Sequence, residues 1–216
     1  MEIVIPGATN IGLFIGAALV LLLVPGPAVL YIVARSVAQG RMAGFISDLG
    51  IHSATLVHVL AAALGLSALL ASSALAFSIV KYAGAAYLIW LGLKKIFGRA
   101  EEVDADGNLP RHSYARLFRD GFIVNLLNPK TALFFLAFLP QFVEVERGHV
   151  GMQIAALGLL LTVLGFVTDG CYALGAGTVG HWLKRSPGYL KLERYVSGVL
   201  FIGLGLTAAL AGNQKK

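Results

Sequence analysis

Charge is scarce in this chain of 216 residues: Asp, Glu, Lys and Arg make up 13% of it, about half the share of an average soluble domain. Hydrophobic residues fill 57%, which excludes both a water-soluble globule and a solvated coil. Cysteine is nearly absent. Cys171 is the single one, so no intrachain disulfide can form and a disulfide-stapled scaffold is excluded. Polar stretches long enough for a soluble domain are also missing. The N-terminal region carries Glu2 rather than a basic cluster, and its apolar run meets Pro25-Gly26-Pro27 instead of a small-x-small cleavage site. A retained first helix is therefore expected, not a cleaved leader.

What the chain has is long apolar runs. Hydropathy places spans near 11–33, 42–66, 77–97, 117–143, 150–179 and 192–210, each close to the ~20 residues that a bilayer crossing needs. The expectation is an all-α integral membrane protein of about six transmembrane helices.

The net charge of +6 would suit nucleic acid, but in such a chain basic residues first report topology. Arg35 and Arg41 separate the first two spans. Lys94, Lys95, Arg99, Arg111, Arg116 and Arg119 separate the third and fourth, and Lys184, Arg185, Lys191 and Arg194 the fifth and sixth. Twelve of the seventeen Lys and Arg thus fall on one side, which becomes cytoplasmic, with both termini outside. Lys215 and Lys216 are the exception. No nucleic-acid partner is expected. The polar segment around Glu101, Glu102, Asp104, Asp106, Gly107 and Pro110 reads as a cytoplasmic linker. It divides the chain into 1–98, a linker 99–116, and 117–216.

The two halves resemble each other. A shift of 113 positions pairs Lys81-Tyr82 with Arg194-Tyr195, and a shift of 103 pairs the stretch from Val24 to Tyr31 with that from Leu127 to Phe134. Three spans per half is odd, so the second half enters from the opposite side: two inverted-topology three-helix repeats, as in many secondary transporters. Both halves carry a helix breaker at the matching place, in the first and fourth helices. Pro25, Gly26 and Pro27 break the first, and Pro129 the fourth. A plain structural kink is one reading. The other is a binding site, because broken helices in hydrocarbon need polar partners. The half-helix after Pro27 offers free amides to a carboxylate, and the half-helix before Pro25 offers carbonyls to an ammonium. A zwitterion needs both.

Ionisable groups within spans are costly and therefore candidates for function. Lys130 follows the Asn128-Pro129 break, with Asn125 one turn earlier. Asp169 lies inside the fifth span, on a face with Thr162, Gly165 and Ala176. Asp48 and His52 form an i, i+4 pair in the second span, with Thr55 on the same stripe. Burial favours the neutral form of a carboxyl, which suits Asp169 and Asp48 to carry a proton, with Lys130 balancing them across a cavity. Hydration near the headgroups is the plainer reading for Asp48. His52 and His58 fall on different faces, and no second group completes a metal site, so none is expected. Lys81 and Arg194 read as snorkelling anchors. Gly12/Gly16, Gly40/Gly44 and Gly50/Ala54 read as close-packing contacts, within one chain or between two, which leaves a homo-oligomer open.

Two apparent signatures carry nothing. Gly175-Ala176-Gly177-Thr178-Val179-Gly180 fits GxGxxG but ends a membrane helix rather than joining a strand to one. Ser67, in Gly65-Leu66-Ser67-Ala68, lacks the last glycine of a nucleophile elbow.

Over nearly its whole length the sequence resembles the LysE/RhtB family of amino-acid exporters, nearer the homoserine/threonine branch. The carriers are Pro25-Gly26-Pro27; Gly40, Gly44 and Gly50; Tyr82, Gly84, Tyr87-Leu88 and Gly92; Gly121, Asn125-Leu126-Leu127-Asn128-Pro129-Lys130 and Pro140-Gln141-Phe142; and Gly198, Gly203 and Gly205. Ala54 and the Asp48–His52 pair depart from it. The resemblance implies a non-enzymatic exporter of amino acids or close derivatives in the bacterial inner membrane, driven by protons and without a cofactor. On that reading Pro25, Gly26, Pro27, Asn125, Asn128, Pro129 and Lys130 bind substrate, and Asp169 and Asp48 handle the proton. Efflux of another small solute or cation is the alternative; a membrane hydrolase using Ser67, or a scaffold, is the alternative from another class.

Overall fold

The computed structural model describes residues 6–23, 26–72, 74–98 and 111–185, with isolated helical positions between 195 and 209. Seven α-helices and no strand occur among them. The first two, α1 (Ala8–Leu23) and α2 (Pro27–Gln39), meet at a bend of 51°. Pro27 stands in the first turn of α2 after Gly26, where its missing N–H and fixed φ cost nothing. The helix stops at Gly40, whose φ of 91° favours glycine. Then come α3 (Arg41–Ser72) and α4 (Ala74–Phe97), the latter covering the third expected span.

Ser113 caps α5 (Tyr114–Leu126) by accepting from the Arg116 amide. Asn128 caps the short α6 (Pro129–Leu133). The chain continues as a π turn, Phe134–Phe138, and a 3-10 turn, Leu139–Phe142. Pro140 accounts for this change: it lacks a donor and its ring would clash with the carbonyl four residues back in an α-helix. After a second 3-10 turn, Val145–Arg147, α7 (Val150–Arg185) is the longest helix.

Among the described residues, two helices are long and apolar enough to cross a bilayer alone, over Arg41–Gly65 and Val150–Ala176. Two bent pairs qualify together: α1 with α2, and Tyr114–Leu126 with Lys130–Phe142, bent by 48°. The fourth span is thus broken as expected. Residues 99–110 of the expected linker, and most of the sixth span with Arg194, lie outside the described residues.

Polarity runs inside out. Asp48 and Gln153 are fully buried, whereas Leu64 is 73% and Leu127 74% exposed. On α7 the exposed Leu159, Val163 and Val167 recur every four residues, a stripe that only lipid would accept across a helix of this length. The protein is an all-α membrane protein. Its centre is α3, packed between α5 and α7, with α2 against α3 and α7. Glycine lets the backbones meet: a Cβ on Gly121 would stand 2.5 Å from the Ser47 carbonyl oxygen, and one on Gly50 would overlap the Phe118 carbonyl. Beside this seam, Phe14, Phe134, Phe135 and Phe138 form an apolar core with Leu157 and Val59.

Polar contacts tie the bent pairs at both ends. The Glu144 carboxylate accepts from the Gly7 amide (2.8 Å) and from Asn10 Nδ2 (2.9 Å) at the start of α1. At the far end, the Gln39 side chain donates to the His112 carbonyl (3.0 Å) and accepts from the His112 amide (2.9 Å). The two bent pairs therefore run in opposite directions.

Candidate substrate cavity and buried ionisable cluster

The first break leaves unsatisfied groups on both sides. In the first turn of α2 the amides of Ala28 and Val29 have no intrahelical partner; the first such bond is from Leu30 to Gly26 (2.9 Å). At the end of α1, Tyr172 of α7 donates its hydroxyl to the Leu23 carbonyl (3.0 Å), and Lys130 Nζ donates to the Leu21 carbonyl (2.9 Å). A cation at a helix C-terminus is favourably placed against the helix dipole. The Lys130 stem passes close to Gly26, where a Cβ would stand 3.2 Å from Cδ. The carbonyls expected to await an external ammonium are thus partly engaged by the chain itself. Pro25 lies outside the described residues.

At the second break the asparagines serve the protein. Asn125 Nδ2 donates to the Ile51 carbonyl and to Thr55 Oγ1, both at 2.9 Å. Its Oδ1 accepts from Thr131 Oγ1 (2.8 Å) and from Asn128 Nδ2 (3.4 Å). Two donors and two acceptors use its whole capacity. Asn128 Oδ1 accepts from the Lys130 amide (3.0 Å) as the cap of α6. His58 Nε2 lies 3.2 Å from the Asn125 carbonyl oxygen, with its ring stacked on Phe135.

The breaks face one cavity of about 70 Å³, room for several waters. Gly26, Ala28 and Val29 line it from the first break, Asn125, Asn128 and Lys130 from the second, and His52 and Asp169 from the far wall. Leu21, Leu22, Ile51, Phe134 and Leu161 supply its apolar surface.

The far wall gathers three buried ionisable residues. A third group does join His52: ligand atoms of Asp48, His52 and Asp169 all lie within 4.8 Å of one another, and all three residues are buried. His52 Nδ1 is 2.8 Å from Asp48 Oδ1 and 3.1 Å from the Asp48 carbonyl oxygen. The imidazole is thus a base set between the two aspartates. The Asp48 contact lacks hydrogen-bond alignment. Both Asp48 carboxylate oxygens and Asp169 Oδ1 are buried without a hydrogen-bond partner. Gly165, one turn before Asp169, makes the approach possible, since a Cβ there would stand 2.6 Å from His52 Nε2.

Of the expected site residues, Gly26, Asn128, Lys130 and Asp169 line the cavity directly, with Asn125. Asp48 sits behind His52. Sequence reasoning missed Thr131 and Tyr172 as partners of the breaks, because neither stands out from a membrane helix. His52 had a signal in its four-residue spacing from Asp48.

A model of the LysE type translocator family matches residues 19–212. An uncharacterized membrane protein of Vibrio cholerae is 31% identical over 90% of this chain and 93% of its own length. The membrane protein YrhP of Bacillus subtilis is 28% identical, over 92% and 97%. A leucine efflux protein of Salmonella typhimurium is 27% identical, over 94% and 96%. No solved structure matches the chain.

Proposed function

The chain belongs to the LysE type translocator family, and on that premise we propose that it exports amino acids with aliphatic side chains from the cytoplasm in exchange for protons. The observation that carries this reading is the meeting of two proline-broken helices at one buried cavity with basic and acidic walls. The substrate carboxylate is received by the Ala28 and Val29 amides and by Lys130, and its ammonium by Asp169. Leu21, Leu22, Ile51, Phe134 and Leu161 take the side chain, in keeping with the relatives named for leucine efflux.

Asp169 and Asp48 hold the coupled proton, in alternation with the substrate ammonium. The two halves rock about the cavity to give alternating access. The end bearing Arg35, Arg41, Arg116 and Arg119 faces the cytoplasm, by the positive-inside rule for an inner-membrane protein.

Cells supplied with leucine-containing dipeptides test this. Cells with the gene release leucine faster than cells without it, and a protonophore removes the difference. Failure to release any amino acid overturns the transport reading. Release that persists with the protonophore, or in Asp169→Asn, overturns the coupling alone.

A further inference from the structure

Asp48, His52 and Asp169 have donor chemistry beyond a proton relay. They bring one imidazole nitrogen and two carboxylates from α3 and α7 within 4.8 Å. Asp48 is fully buried and Asp169 is 5% exposed, yet three of their four carboxylate oxygens have no hydrogen-bond partner. Carboxylates so placed have fewer hydrogen bonds than buried charge normally receives. Their one close base is His52, and its Nδ1 is divided between the Asp48 carboxylate and the Asp48 carbonyl. The Lys130 ammonium stands at the end of α1, on the Leu21 carbonyl.

We propose that Asp48, His52 and Asp169 form a binding site for a divalent transition-metal ion of the zinc type. Imidazole nitrogen with carboxylate oxygen suits zinc, whereas magnesium demands a near-octahedral oxygen shell and gives up its waters reluctantly. A tetrahedral zinc site holds its ligand atoms about 3.3–3.5 Å apart, so the present spacing closes by side-chain rotation within the pair of helices. His52 and Asp169 both line the cavity, which leaves the fourth position reachable by water. Gly165 is the positioning element, since its missing side chain admits the imidazole against α7. The site does not depend on the transport reading, because its readout is binding by the purified chain.

The test titrates Zn²⁺ into the full chain in detergent, in competition with a chromogenic chelator. The wild type takes up one Zn²⁺ per chain, Mg²⁺ at equal concentration does not compete, and His52→Asn and Asp169→Asn each weaken uptake at least about tenfold. Melting curves in chelator show that the variants are folded, and His52→Gln replaces His52→Asn if the latter is not. Added Zn²⁺ raises the melting temperature of the wild type and not of the variants. No uptake by the wild type, or equal uptake by the folded variants, overturns the proposal.

Discussion

Lys130 donates its ammonium to the carbonyl of Leu21 at 2.9 Å, so the cation that follows the second helix break closes the end of the helix before the first. The two breaks are one polar assembly, and removing this side chain acts on both.

Lys130→Met removes a charge-assisted bond and leaves the Leu21 carbonyl at a buried helix end. The expected cost is about 1.5–3 kcal/mol, read as a lower melting temperature in detergent. Efflux falls by about tenfold or more if the same contact holds the transport-competent state.

Asn125→Ala deletes the four bonds of the Asn125 side chain, which join α5 to α3 and to the start of α6. The Thr131 hydroxyl loses its acceptor at Asn125 Oδ1, and a void opens at the break. A loss of about 2–4 kcal/mol follows, measurable as unfolding at lower denaturant with the cavity mouth accessible to a thiol reagent through Thr131→Cys.

Gly50→Ala drives a methyl group into the Phe118 carbonyl. The helices must separate, at a cost of about 1–3 kcal/mol. Gly12→Ala is the internal control, because a Cβ at Gly12 meets nothing within 4 Å; it leaves the melting temperature unchanged or raises it slightly. Melting curves of the two variants should therefore move apart.

Glu144→Ala frees the start of α1, since Glu144 accepts from Gly7 and Asn10 and pairs with Arg147 at 2.6 Å. Hydrogen exchange in residues 7–11 rises by about tenfold, the equivalent of about 1.4 kcal/mol. Exchange at Gln39 and His112, at the other end, stays unchanged.

The breaks were legible because proline and glycine act locally: Pro27 and Pro129 each stand in a first helical turn, where proline is best tolerated. The spans were legible too, since burial in lipid leaves long apolar runs. What escaped depends on partners far apart in sequence. Asn125 meets Ile51 74 positions away, and nothing local distinguishes that use from substrate binding. The Asp48–His52 spacing could be read from the helix period, but Asp169 joins it only because Gly44 and Gly165 let α2, α3 and α7 close up. The π turn follows from Pro140, a cue that hydropathy does not register.

The ties at Glu144 and at Gln39–His112 give the paired bent helices the mechanics of two bows lashed at both tips. Sliding one along the other strains both lashings at once, while flexing at the breaks strains neither. The two knots also differ in kind. One is a carboxylate that accepts from a backbone amide and a side-chain amide and pairs with Arg147. The other is a neutral side-chain amide that donates to and accepts from the backbone of one residue. The two ends of the paired bent helices are thus held by ties of different chemistry.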